Sequence, residues 1–319
     1  MTNLAVLILR LFLITLDGVT SDMPNDVIGL VASGAVIPDD TIVRLLKQSP
    51  PLPSDKPEPV YSSSCKLPPI RNVIDMINEW FLFFHNSPKR QAFFETVLEK
   101  CFPDATQVKL KGLCRTRWVE RHEAYENFMA LIPAAVMTAD VILHPHLYET
   151  LSFENWSWDK DTKEKANGLA SSARRFENIV SFVVQKNSLH PLKGIAAKLQ
   201  KRDLDIYEAY QRVDETISCL QSYRTNVDEF HSRCYAEVKQ VAEEISSVEE
   251  RPRTVRSQQH RANVPAESTE EYFKRSITIP FLDFLVSEMA TRFSEQNRGP
   301  VIGIFFPYPQ DSCSKAAKH

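Results

Sequence analysis

Glycine is scarce in this 319-residue chain: there are eight in all, and only Gly112, Gly168 and Gly194 lie between residues 61 and 293. A chain so short of the residue that serves left-handed turns and bulges, yet rich in polar–apolar periodic runs, is expected to be mostly helix. Charge of one sign is lacking too. The 38 Lys and Arg against 41 Asp and Glu leave a net charge of −3, which excludes binding of a polyanion through bulk charge and confines any such surface to a local patch. None of the six cysteines forms a Cys-x-x-Cys pair. A chain this long has no need of disulfide staples, so they read as reduced thiols of a cytosolic or nuclear protein. Long hydrophobic runs are missing as well. The apolar stretch from Leu4 to Leu16 is broken by Arg10 and is too short to span a bilayer, so no membrane partner is expected. It resembles the apolar part of a signal peptide, but no basic residue precedes it, and a buried strand or a gene-prediction artefact fits it as well.

What is present divides the chain in three. Residues 1–60 are atypical: an apolar run, a Gly/Pro/Asp stretch, then the linker from Pro50 to Pro59, whose composition reads as irregular or polyproline-like. Residues 61–298 hold the periodic segments, and 299–319 read as a poorly ordered tail. In the middle part, Ile70, Val73, Ile74, Ile77, Phe81 and Phe84 predict a helix ending near Asn86-Ser87-Pro88. A second helix is expected from about Lys89 to Glu99, and a short strand at Val108–Lys111, where apolar and polar residues alternate. Further helices are expected at about 118–131, from Pro133 onward, at 160–186, 189–201 and 269–293. The longest element is 203–249, with no Gly or Pro. There Ile206, Val213, Leu220, Val227, Cys234 and Val241 recur every seven residues, and Tyr210, Ile217, Arg224, His231, Val238 and Ile245 form the companion row. The expected fold class is mainly α: a multi-helix bundle with one long helix and at most a few short strands. The long helix is expected to pack within its own chain as a hairpin with the 160–201 helices, which makes the protein a monomer. Its alternative use is as a docking face for a protein partner.

The segment Leu113-Cys114-Arg115-Thr116-Arg117-Trp118-Val119-Glu120-Arg121-His122 is the most informative. Thr116 is placed to cap a helix. Behind it Trp118, Arg121, Tyr125 and Phe128 fall at spacings of three and four, one stripe that is aromatic and partly basic. An exposed Trp between arginines can stack on a base while the arginines pair with phosphate; the bland reading is a buried Trp beside solvated arginines. Arg117, Trp118 and Arg121 are the candidate DNA-binding residues. Elsewhere the chemistry is thin. His231 and Cys234, at i and i+3, offer half of a zinc site with no second pair, so they read as packing residues. His144-Pro145-His146 reads as a solvated turn, and Trp156 and Trp158 as half-buried aromatics closing a helix pair. No nucleophile elbow and no phosphate-cradling Gly-rich loop occurs. No cofactor, metal or catalytic residue is expected.

The run Cys-x-Thr-Arg-Trp-Val-Glu-Arg-His-x-Ala resembles the motif that opens the helical insertion of hAT-superfamily DNA transposases, in particular the domesticated branch with THAP-domain and MYM-type zinc-finger relatives. Ser62-Ser63-Ser64-Cys65-Lys66-Leu67-Pro68-Pro69-Ile70-Arg71-Asn72 and Asn86-Ser87-Pro88-Lys89-Arg90 resemble the same family. So do Gln259-His260-Arg261-Ala262-Asn263-Val264-Pro265-Ala266 and the segment from Tyr272 to Asp283. The likeness covers about 61–293. It implies the insertion of an RNase H-like fold, a nuclear location and a transposon origin, with Trp118 at the position where the family's Trp holds the DNA end or a flipped base. The family cuts DNA with three metal-binding acids, two before the insertion and one after it. Asp17, in Asp17-Gly18-Val19-Thr20-Ser21, loosely resembles the first, with Val19 where the family has Trp. The second acid and the Cys-x-x-His element are not found, and Asp283 belongs to the insertion's last helix. The expectation is a catalytically inactive, truncated transposase-derived chain with residual DNA or chromatin association. The alternative is a protein-interaction or transcription-regulatory module that does not bind DNA.

Overall fold

The computed structural model of the protein describes residues 67–113, 118–151, 153, 156–199, 206–253 and 264–292; the side chains of 118–121, 194–199, 206–210 and 292 lie outside the description. Among the described residues there are helices and no strands, as the scarcity of glycine and the periodic runs lead one to expect. The linker at 50–59, Asp17, Thr116, Arg117, residues 254–263 and the tail lie outside the described residues.

Helix α1 (Pro68–His85) starts on the Pro68-Pro69 pair, whose fixed φ suits a first turn. Its buried face is Ile70, Val73, Met76, Ile77, Trp80, Phe83 and Phe84. After a two-residue break, Ser87 caps α2 (Pro88–Cys101), its Oγ accepting from the Arg90 N–H at 3.3 Å. Helix α3 (Trp118–Leu143) runs straight through Pro133, where the sequence leads one to expect two helices. An interior proline costs about 3 kcal/mol, but Leu131, Ile132, Ala134, Ala135 and Val136 around it are all buried, and fully burying even one such larger side chain gains roughly 1.5–3 kcal/mol. The stretch His122–Leu143 is long and apolar enough to cross a membrane by composition. Here it is a core helix, packed on α2 and on two helices that follow, α4 (Lys160–Ala173) and α5 (Phe176–Leu199).

Helix α5 is the centre of the bundle. It packs against α1, α3, α6 (Ile206–Thr225) and α7 (Val227–Glu244). A helix with neighbours on all sides must be buried all round, and α5 buries Phe176, Ile179, Val180, Phe182, Val183 and Val184 together with the polar Asn178, Ser181, Gln185 and Ser188. A last stretch, α8 (Thr269–Phe273), a π-helical turn Lys274–Thr278 and α9 (Ile279–Arg292), closes the bundle against α6.

Besides the continuity through Pro133 and the merging of the expected 189–201 helix into α5, three expectations are corrected. The 203–249 run is two helices, broken at Asn226, whose backbone leaves helical geometry at φ −101°, ψ 42°. A straight helix of 47 residues would be about 70 Å long. Helix α5 has 24 residues and reaches only about 36 Å. The break lets both halves use α5, and the heptad members Val213, Leu220, Cys234 and Val241 are all buried. The expected helix 160–186 breaks at Arg174, with no Gly or Pro to announce it. The Arg174 guanidinium forks onto Asp140 at the end of α3 and its Nε donates to the Ile245 carbonyl at 2.8 Å. The Arg174 carbonyl in turn accepts from Ser247 Oγ at 2.6 Å. One residue thus ties the ends of α3, α4 and α7. Finally, Val108–Lys111 is a loop and not a strand. Asn127 of α3 takes the place of a neighbouring strand: its Oδ1 accepts from the Lys111 N–H at 2.7 Å and its Nδ2 donates to the Lys109 carbonyl at 3.0 Å.

Candidate nucleic-acid interface

Helix α3 is described from Trp118 onward, and Thr116, expected to cap it, lies outside the described residues. Arg117 lies outside the described residues, as do the side chains of Trp118 and Arg121. What is described is the frame that holds them. The approach passes Gly112, where a Cβ would stand 2.9 Å from the Phe81 ring of α1, closer than real contacts allow. Of the two glycines described, Gly112 and Gly168, only Gly112 is required by a close approach. Asn127 pins the chain just before it, and Lys111 Nζ donates to Glu123 Oε2 at 2.9 Å. The C-terminal half of the expected stripe is not surface. Tyr125 and Phe128 are each 1% exposed and pack on Phe182 of α5, with ring centroids 5.9 and 5.4 Å away.

One turn after Trp118 lies a polar cluster that the sequence does not announce. The His122 ring is 2% exposed. Its Nε2 lies 3.2 Å from Glu126 Oε1, and its ring meets that of His190 on α5 with centroids 5.5 Å apart. Glu126 Oε2 accepts from Lys193 Nζ at 2.8 Å. Burial lowers the His122 pKa, and the Lys193 hydrogen bond holds the Glu126 carboxyl below its usual range. The cluster is therefore a neutral imidazole beside an ionised carboxylate at neutral pH. His122 and Glu126 could have been found as an i, i+4 pair on one helix face. His190 and Lys193 reach them only through the α3–α5 packing.

The described cations near the motif are already engaged: Lys109 with Glu95 at 3.8 Å, Lys111 with Glu123 and Lys193 with Glu126. Arg115, Arg117 and the Arg121 side chain, the other cations at this end, lie outside the described residues. Other segments singled out in the sequence lie among the described residues. Lys89 donates to the Ser157 carbonyl at 2.5 Å and covers the Trp158 ring at 4.8 Å. Arg90 lies over Phe83 at 4.6 Å. Trp156 and Trp158 stack on each other, centroids 5.9 Å apart and nearly parallel, and both touch Phe93. They are half-buried, as expected. His144 and His146 are exposed. Arg224, expected on the heptad seam, pairs with Asp283 of α9 at 2.5 Å.

His231 and Cys234 are core residues, 1% and 2% exposed. The His231 ring bonds Thr278 Oγ1 at 2.8 Å and the Glu270 carbonyl at 3.0 Å. Thr278 closes the π-helical turn. Burial pushes the His231 imidazole down to about 4 and the Cys234 thiol up to about 11. Neither is poised for chemistry near neutral pH.

Among proteins of known name, the chain is similar to the 52 kDa repressor of the inhibitor of the protein kinase of mouse, 27% identical over 256 residues, covering 76% of this chain and 33% of that protein. The human protein of the same name is 26% identical over 256 residues, covering 76% of this chain and 32% of its own length. The chain thus spans about a third of the length of these curated relatives. A matched stretch of 76% of the chain necessarily takes in about residues 80–240, and so includes the Trp118 segment and α5. No protein-family model matches the chain, and no solved structure matches it.

Proposed function

We propose that this chain is a regulatory protein derived from an hAT transposase, without nuclease activity, that acts in the nucleus by associating with DNA or chromatin through Arg117, Trp118 and Arg121. The observation that carries the reading is the coincidence of two likenesses. The ordered motifs between residues 61 and 293 resemble the hAT helical insertion, and the sequence match to the mouse and human repressors runs through the same region. The frame around Trp118 fits a base-stacking role. Gly112 and Asn127 hold the described chain that leads toward it, and the buried Tyr125–Phe128 step anchors the helix behind it.

The competing reading is a protein-interaction module without DNA binding. Its simplest docking face, the heptad seam of 203–249, is turned into the chain's own core, as the buried Val213, Leu220 and Val238 attest. A partner would have to use another face. Titration of the chain with hairpin or flapped DNA between low and moderate salt separates the readings. DNA association gives an affinity that falls steeply with salt, because phosphate neutralisation releases counterions, whereas helix docking leaves no such slope. Absence of binding at low salt would remove the DNA reading. Incubation of the chain with Mg²⁺ or Mn²⁺ and a terminal-inverted-repeat duplex checks the loss of nuclease activity. Nicking that disappears on Asp17→Ala would overturn it.

A further inference from the structure

We propose that His122, Glu126 and His190 form a site for a borderline divalent transition cation, Zn²⁺ above all, which staples the first turns of α3 to α5. One potential ligand atom from each of the three residues lies within 4.8 Å of the others. Two imidazoles and a carboxylate are a donor set that zinc accepts, with ligand bonds of about 2.0–2.2 Å. Around a tetrahedral ion of that size, ligand atoms stand about 3.4 Å apart. Closing the remaining gap falls to His190, which is exposed and free to change rotamer.

A second observation points the same way. His122 Nδ1 is buried and has no hydrogen-bond partner, although the side chain is almost wholly enclosed. No partner at Nδ1 thus fixes the tautomer of the ring, and Nε2, 3.2 Å from Glu126 Oε1, is the nitrogen that can share an ion with that oxygen. Lys193 supplies outer support by holding Glu126 Oε2, which fixes the carboxylate and leaves Oε1 for the ion. Its positive charge also moderates the site's affinity. Three protein ligands leave the fourth position to water on the solvent side. Because His122 sits one turn after Trp118, an ion here would stiffen the start of the helix that carries the DNA-binding candidates. The site itself rests only on the three ligands and holds whether or not the chain binds DNA.

The test uses the full chain, stripped with a chelator and then titrated with Zn²⁺ by calorimetry and with Co²⁺ by visible absorption. The expected result is one equivalent bound, visible bands of a tetrahedral Co²⁺ site, and a rise in melting temperature of roughly 5–10 °C at free Zn²⁺ about a hundredfold over Kd. His190→Ala, an exposed change that leaves the bundle intact, should abolish all three. The double variant His144→Ala/His146→Ala should abolish none. Absence of Co²⁺ bands and of a melting shift at 100 μM metal would overturn the site. So would binding that survives His190→Ala, or binding lost with His144 and His146, which would place the ion at the Pro145 turn.

Discussion

The Trp156–Trp158 step and the Arg117-Trp118 step are built from the same residue types, yet the chain sets them in different surroundings. At the first, Lys89 covers Trp158, Lys100 covers Phe153 at 4.9 Å, and both ammonium groups also donate to main-chain carbonyls of the 145–159 connection. Phe93, 0% exposed, is the anchor under all three aromatics. Here the described cations and rings satisfy each other. At the second, the neighbouring cations Lys109, Lys111 and Lys193 are tied to carboxylates, and the helix behind Trp118 is core. Tryptophan beside lysine or arginine is thus no sign of nucleic-acid binding by itself. What would separate the two is whether Arg117 and Arg121, whose side chains lie outside the described residues, have a main-chain or acidic partner within the fold.

The comparison breaks most visibly at its anchor. Phe93→Ala empties a fully buried ring site and should cost about 3–5 kcal/mol. The Trp156 and Trp158 rings then lose their common support, so denaturant melts should show a large fall in midpoint and a red shift of tryptophan emission. A loss under 1 kcal/mol would mean that the connection is not part of the core.

How far this could be read from the sequence depends on what decides each element. Helices α1, α2 and the last segment were legible because local signals decide them: Pro68-Pro69, Ser87-Pro88 and the Ser268 side chain that accepts from the Glu271 N–H at 3.0 Å. The breaks at Arg174 and Asn226, and the continuity through Pro133, were not legible. Each is settled by packing on α5 or by the Arg174–Asp140 fork, contacts between residues far apart in sequence. The heptad pattern was real, and its buried members confirm an intramolecular seam, but periodicity cannot tell one helix from two that share a partner. At the site, the helical run of α3 behind Trp118 was legible from its periodic aromatic residues, of which Tyr125 and Phe128 are buried. The His122–Glu126–His190 cluster was not, because its third member comes from 64 or more residues away.

The next largest effect is set by pH and fixes the window in which the two regions can be compared. His231 has a folded pKa of about 4 against an ordinary value of 6.5, so the unfolded chain binds the extra proton first. Stability is therefore full above about pH 6.5 and is lost as pH falls toward 4. The loss between pH 7.5 and pH 5 should be about 2 kcal/mol from this group. His122, also lowered by burial, adds in the same direction. In His231→Asn the fall over that interval should be smaller than in the parent chain, measured by urea unfolding at each pH. Equal slopes in the two proteins would show that His231 is not the titrating group.

Trp118→Ala sharpens the comparison directly. If the residue stacks on a base, its removal weakens hairpin or flapped DNA binding by roughly 1–3 kcal/mol and leaves the melting temperature nearly unchanged. If it is packed as Phe93 is, the loss appears in stability instead, about 3–5 kcal/mol. The assay belongs near pH 7.5, above the His231 transition, so that the two losses are not mixed.

The smallest effect distinguishes the cations. Lys89 holds a carbonyl and a ring face, both near the surface, so Lys89→Ala should cost about 0.5–1.5 kcal/mol of stability. It should leave the salt dependence of DNA affinity untouched. Arg121→Ala should do the reverse, reducing the slope of log affinity against log salt by about 1, the signature of one phosphate contact removed, with little change in melting temperature. Equal slopes for the parent and Arg121→Ala would take Arg121 out of the interface. A reduced slope in Lys89→Ala would mean that the Trp158 cluster, and not the start of α3, is the face that meets phosphate.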